Sequence, residues 1–443
     1  MPSTEMLPAA EAELARSTIS KLNWRVLPFV LVLYIIAMID RTNVSFAALQ
    51  MNEDLGFSKA VYGFGAGIFF LGYALFEIPS NLILARVGAR KWIARILVTW
   101  GLFATAMMFV SGPMSFYTLR FLLGVAEAGF LPGILFYLSY WYPAAQRAHA
   151  VSWFMIGIPM AQVVGGPIAG LLLGLDGALG LHGWQWMYLC EGVPAVLAGF
   201  VVLRFMTDSP EDARWLTQEQ RTWLTARIQS EHAAAEQRHG VGLRQALLHP
   251  TVWWLAFVAF AFQTGSYGLQ LWTPLIVKEW SGLSDLGVGF VSAIPYIGAA
   301  IGMVLIGASS DRRGERFMHI AVPSVVAAVG FAASAFLNSP VLGIMALTVA
   351  AVGCMGSRGP FWALPGRFLT ASASAAGLAL INTVGSVGGF VGPYAVGLAK
   401  DLTDSYAAGL ILLSVLLVLG AAAVLRLRDR EELQPLAVGE AIR

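Results

Sequence analysis

Asp40, Arg41, Arg120, Glu127 and Arg358 interrupt stretches of this 443-residue chain that are otherwise apolar. A charge in such surroundings is expensive and is usually kept for function. Arg120 and Glu127 are seven residues apart, so on a helix they share one face, ~10 Å apart along the axis. Arginine stays charged and presents a planar fork that matches a carboxylate. A buried carboxylate instead changes protonation, because desolvation raises its pKa and a neighbouring arginine lowers it. Two arginines and two carboxylates converging from Asp40-Arg41 and Arg120/Glu127 therefore make an anion site with a proton relay. The competing reading is that the four charges pair with one another only to hold two helices together. Buried ion pairs are poor stabilisers, which favours the functional reading.

Arg358, in Gly356-Ser-Arg-Gly-Pro-Phe-Trp362, either reaches a cavity or snorkels toward an interface. A third arginine within the apolar segments suits a substrate with a second acidic group. Tyr73, Gln162, Trp362 and Asn382 are polar or amphipathic at helix positions, where they line the same cavity or serve packing. Glu77 and Glu191 sit near segment ends and read as structural. Cys190 and Cys354 lie in apolar runs and read as packing residues. The chain has no HExxH, CxxC or GxSxG motif and no phosphate-cradling loop, so neither an enzyme, a metal nor a cofactor is expected.

The elements that must position these residues follow from composition. The chain is 57% hydrophobic and 12% charged, with 47 glycines, which excludes soluble, collagenous, disordered and disulfide-rich classes. A formal charge of +2 gives no reason to expect nucleic acid as a partner. Apolar runs predict an all-α membrane protein with twelve transmembrane helices near 24–45, 60–84, 91–110, 115–140, 148–174, 186–206, 251–277, 286–309, 316–337, 340–364, 373–399 and 406–427. Counting ~1.5 Å per residue from Trp24 puts Asp40-Arg41 in the outer half of the first span. With both termini cytoplasmic, 22 lysines and arginines fall on the cytoplasmic side and three on the other, which fixes the expected orientation. That count includes Arg238, Arg244, Arg367 and Arg443. The expected organisation is a cytoplasmic tail 1–23, a six-helix bundle 24–206, a cytoplasmic linker 207–250, a second six-helix bundle 251–427 and a tail 428–443. A surface helix is expected within 217–240.

The two bundles look like repeats. Arg86-Val-Gly-Ala-Arg90 recurs as Arg312-Arg-Gly-Glu-Arg316, and Gly166-Pro167 recurs as Gly392-Pro393, both at an offset of 226. Duplicated, pseudo-symmetric six-helix halves imply a substrate site between them near the bilayer midplane, exposed alternately by rocking. Arg86, Arg90, Asp311, Arg312 and Arg316 are candidates for gating, or for holding helix ends in register. Glycines in the fifth and eleventh spans allow close helix approach.

Asp40-Arg-Thr-Asn43, Phe76-Glu-Ile-Pro-Ser-Asn81, Arg120-Phe-Leu-Leu-Gly-Val-Ala-Glu-Ala-Gly-Phe130, Gly157-Ile-Pro159, Asp208-Ser-Pro-Glu-Asp-Ala-Arg-Trp-Leu216, Pro360-Phe-Trp-Ala-Leu-Pro365 and Gly389-Phe-Val-Gly-Pro393 run nearly the whole length of the chain. With these segments the chain resembles the anion:cation symporter family of the major facilitator superfamily, and within it the bacterial tartrate, phthalate and sugar-acid permeases. The resemblance implies proton-driven import of a small organic carboxylate, with Arg41 and Arg120 binding the anion and Asp40 and Glu127 handling protons. It also implies pocket roles for Tyr73, Trp362 and Asn382. Ala85 stands where the superfamily turn carries an Asp, while Asp311 is present in the second half. The expected setting is a bacterial inner membrane, with the lipid bilayer, protons and the carboxylate as partners and a monomer as the unit. An exporter or antiporter is the alternative, although Gln162 replaces a glycine of that pattern; a non-transporting sensor is the other.

Overall fold

The computed structural model describes residues 9–236, 249–337, 339–365 and 371–433. The predicted tails and linker extend beyond these, so Arg238, Arg244, Arg367 and Arg443 lie outside the described residues. The chain begins with α1 (Ala9–Arg25) and the first span α2 (Leu27–Asp54), followed by α3 (Lys59–Val87) and α4 (Ala89–Ala106). The fourth span is two segments, α5 (Pro113–Glu127) and α6 (Phe130–Trp141), and the fifth is α7 (Ala144–Met155) with α8 (Gly157–Leu173). After α9 (Gly183–Phe205) comes the linker helix α10 (Gln218–Glu236). The second half runs α11 (Pro250–Ser281), α12 (Asp285–Arg313), α13 (Met318–Phe336), the divided α14 (Pro340–Gly356) and α15 (Arg358–Ala363), α16 (Ala371–Thr403) and α17 (Ala407–Leu433).

Eleven helices among the described residues are long and apolar enough to cross a membrane. The twelfth span is α11, long enough at 32 residues but carrying Gln263, Thr264, Ser266, Gln270 and Thr273. Its polar groups are tolerated because it is enclosed: every residue from Ala261 to Val277 is buried. Lipid, in which an unpaired polar group has no partner, meets other helices.

Two expectations need correction. The first span does not end near residue 45 but continues to Asp54, so Asp40 and Arg41 lie at mid-length rather than toward one end. The segment before it is a helix, not a plain tail. Thr18 and Leu22 are buried, the Lys21 Nζ donates to Gln220 Oε1 at 2.9 Å and Arg25 lies over the Trp215 ring at 5.2 Å. Trp215 in turn stacks on Trp141 at 5.5 Å, so α1, the linker and the end of the fourth span are knit together on one side of the molecule, here termed the linker side.

On the far side the two halves meet directly. Gly166 of α8 and Gly289 of α12 touch so closely that a Cβ on either would press on the other's backbone carbonyl. A side chain larger than hydrogen would part the helices, which is why small residues stand at such crossings. Gly63 and Gly67 of α3 are likewise pressed against Pro393 and Phe390 of α16. Hydrogen bonds join the halves from Asp401, which accepts from the Lys59 and Ala60 N–H groups at 3.0 and 2.8 Å, through Gln50 to Asp285 at 2.9 Å, to Tyr62 donating to the Leu271 carbonyl at 2.6 Å. Asn382 of α16 also donates to Glu77 of α3.

Candidate functional site

Helical geometry separates the neighbours Asp40 and Arg41 by about 100° around α2, so the two face different partners. Asp40 is buried in the first half: its Oδ2 accepts from the Trp100 indole N–H of α4 and its Oδ1 from Asn43 Nδ2 at 3.1 Å. Arg41 turns toward α3 and α5. Its guanidinium lies 5.2 Å from the Tyr73 ring and 5.4 Å from the Phe69 ring and donates to Glu127 Oε1. With a side-chain exposure of 11%, Arg41 is not fully enclosed, whereas Glu127 is.

Arg120 is fully enclosed, with its guanidinium 5.0 Å from the same Phe69 ring. It donates through Nη2 to the Ala66 carbonyl at 3.2 Å, while Nε and Nη1 have no partner among the described residues. A guanidinium has five donors in a fixed fork, so two idle nitrogens represent unspent anion-binding capacity. The four charges thus converge as their spacing predicts, but the ion pair is Arg41 with Glu127, and Asp40 is held by neutral donors.

Close helix packing brings them together. A Cβ at Gly124 of α5 would run into the Phe69 carbonyl of α3, and one at Gly72 into the Phe121 carbonyl. The α5 helix then ends at Glu127 because Gly129 takes φ +88°, a left-handed conformation that costs other residues ~1–2 kcal/mol. Glu127 therefore occupies a helix C-terminus, where the carbonyls of the last turn repel a carboxylate and a cation partner is needed.

The second half contributes Arg358, which opens α15 just after the break at Ser357. It is half-buried, 5.7 Å from the Phe262 ring and in contact with Met355 Sδ at 3.9 Å. Both of these contacts, Phe262 and Met355, belong to the second half. The breaks at Gly129 and Ser357 fall within a few residues of the 226-residue repeat, in the fourth and tenth spans. Interrupted helices in corresponding places of two halves are where transporters build binding sites.

Gln162 is buried on α8 with its Nε2 unpartnered, while Trp362 is 38% exposed and lies edge-on to Phe361 at 5.2 Å. Asn382 does not stand open: its Nδ2 donates to both Glu77 oxygens, at 2.8 and 2.7 Å. Glu77, read from sequence as structural, is therefore part of this region. Glu191 is too, being buried beside Asn43 with neither carboxylate oxygen hydrogen-bonded by standard geometry. Phe69 and Trp100 escaped the sequence reading altogether. The available signal was the four-residue spacing of Phe69 and Tyr73, which stacks the two rings along one face.

The first basic turn is engaged by the linker and the second within its own half. Arg90 offers its backbone N–H to Asp208 Oδ1 at 2.8 Å and its Nε lies 3.7 Å from Oδ2, so Asp208 supplies an acid to the turn where Ala85 stands. Arg316 pairs with Asp311 at 2.6 Å and donates to Ser310 Oγ at 2.8 Å. Glu315, in the turn before α13, accepts from the Met318 N–H at 2.7 Å and from His319. Burial pushes the Glu315 carboxyl up, but these donors outweigh it and hold it below the ordinary glutamate range. Arg86 and Arg312 lie in the same two turns.

Residues 30–393 match the model of the Major Facilitator Superfamily. The chain belongs to the major facilitator superfamily. It is 48% identical over 414 residues to an Agrobacterium vitis protein named "Putative tartrate transporter", covering 94% of this chain and 95% of that one. It is 45% identical over 405 residues to the "Quinolone resistance transporter" of Acinetobacter baumannii, covering 91% and 93%. Among solved structures, a bacterial homolog of the human lysosomal transporter Spinster, inward-facing and unoccupied, superposes with a TM-score of 0.76 at 19% identity over 92% of this chain and 97% of that one. The fold is thus the major facilitator fold, and the chain is a multi-pass membrane transporter, not an enzyme.

Proposed function

We propose that this transporter imports a small organic carboxylate together with protons, by alternating access, across a bacterial inner membrane with both its termini in the cytoplasm. The observation that carries the reading is the Arg41–Glu127 pair, whose arginine is not fully enclosed, backed by an Arg120 with unspent donors. An incoming carboxylate competes with Glu127 for Arg41. Glu127, losing its cation in a low-dielectric site, then favours the protonated form, so anion and proton occupancy rise together. Asp40, held among the described residues by Trp100 and Asn43, is the second proton-handling group. Arg358, Tyr73, Gln162, Trp362 and Asn382 complete the binding surface, and the basic turns Arg86–Arg90 and Asp311–Arg316 act as gates on the linker side. The tartrate name of one relative and the distribution of basic residues support this reading. The protein acts as a monomer, each chain holding its complete site.

Thermal-shift titration with tartrate, phthalates, sugar acids and aromatic acids tests it, since a ligand that binds the folded state raises the melting point. At least one acid stabilises the wild type, and Arg41→Lys, which keeps the charge but loses the fork, weakens that binding about tenfold or more. Wild-type affinity in Arg41→Lys removes Arg41 from the site. The resistance name of the second relative favours outward transport as a second reading. Direction is read from flux against an imposed proton gradient.

A further inference from the structure

Glu77 and Asn382 come from opposite halves, on α3 and α16, 305 residues apart in the chain. Both Glu77 oxygens accept from the Asn382 side-chain amide, at 2.8 and 2.7 Å. Glu77 lies one helical turn beyond Tyr73, whose ring carries the Arg41 guanidinium at 5.2 Å, and Arg41 acts electrostatically on Glu77 itself. A carboxylate that reaches across to an amide donor, within the field of Arg41, has the chemistry of the anion proposed to be carried. We infer that Glu77 is a built-in competitor of the substrate: in the unloaded protein its carboxylate occupies Asn382 and opposes the field of Arg41, and an arriving organic anion must displace it.

This inference rests on the organic-anion reading and adds to it a residue that sets affinity. The consequence is physical. A competitor tethered to the protein is present at high effective concentration and lowers the apparent affinity for free ligand without touching it. It also returns to Asn382 when cargo leaves, which speeds release and restores the tie between the halves in the empty carrier. Glu77 is thus a positioning and affinity-setting residue, distinct from Arg41 and Arg120, which grip the anion.

Glu77→Gln keeps size and can still accept from Asn382 but removes the competing charge. Equilibrium binding of the acid panel to purified wild type and Glu77→Gln, with stopped-flow release, tests the idea. The expected result is at least fivefold tighter binding by Glu77→Gln with correspondingly slower release. Binding by Glu77→Gln of an acid that the wild type fails to hold supports it equally. An affinity equal to or weaker than that of a wild type that does bind overturns the competitor while leaving the organic-anion reading intact. Binding by neither protein overturns that reading and the competitor with it. As a second measurement, Glu77→Gln is introduced into Asn382→Ala: with the amide that holds the Glu77 carboxylate in place already gone, the gain shrinks to less than half, whereas an unchanged gain contradicts competition at Asn382.

Discussion

Two arginines share one phenylalanine ring at the centre of this molecule, and they are not equivalent. Arg41 has a cation's usual partner, Glu127, and is not fully enclosed; Arg120 is fully buried beside Phe69 with two nitrogens idle. Breaking a buried pair from one side costs ~3–5 kcal/mol, so Arg41 does not leave Glu127 unless something anionic replaces it or a proton neutralises it. On the proposed reading that cost is the coupling. The sequence placed these charges inside the spans and on shared faces, but pairing was not legible. Which carboxylate meets which arginine depends on the rotation of α2 against α5 and on Phe69, and neither leaves a mark in residue spacing. At this scale Arg358 makes a clear prediction. It is the arginine that opens α15 in the second half, and Arg358→Gln loses about tenfold or more in affinity for a diacid but little for its monoacid analogue, measured by titration of the two ligands. Equal losses for both ligands assign it to structure.

The interrupted spans matter more than the continuous ones. Glu127 ends α5 and Arg358 begins α15, so two of the proposed site residues owe their position to breaks in the fourth and tenth helices. Apolar periodicity predicted both spans as single helices, because neither the left-handed kink at Gly129 nor the break at Ser357, where φ is −72°, changes the hydropathy. The clue was Gly129, two residues after Glu127. Alanine at Gly129 meets both the left-handed φ of +88° and the Ser80 hydroxyl, which lies where its Cβ would go. Gly177 has a similar φ of +80° with nothing within 4 Å, so it isolates the backbone cost. Gly177→Ala is expected to lose about 1–2 kcal/mol, and Gly129→Ala more than that together with transport, as followed by intrinsic-fluorescence melting in detergent. Equal melting points for the two variants would place the break's stability elsewhere than in the Ser80 contact.

At the scale of the whole molecule the repeat was the most informative line of sequence. Two matches at one offset predicted duplicated halves, and Gly166 and Pro393, one from each, both stand on the far-side contact between them. The helix before the first span was not legible, since its apolar residues serve contact with the linker and not lipid. The polar seventh span was placed correctly despite its glutamines because its length and flanks outweigh them. What the halves do together is the central claim: rocking about a midplane site in which Glu127 exchanges a cation for a proton as an organic anion takes the cation. Accumulation by proteoliposomes under an inward proton gradient tests this most directly, with the acid that stabilises the protein used as a radiolabelled substrate. Wild type concentrates the acid inside, and a protonophore abolishes it. Glu127→Gln and Asp40→Asn, fixed in the neutral form, still exchange labelled for unlabelled acid but never exceed equilibrium. Accumulation to the wild-type level by both variants contradicts the account.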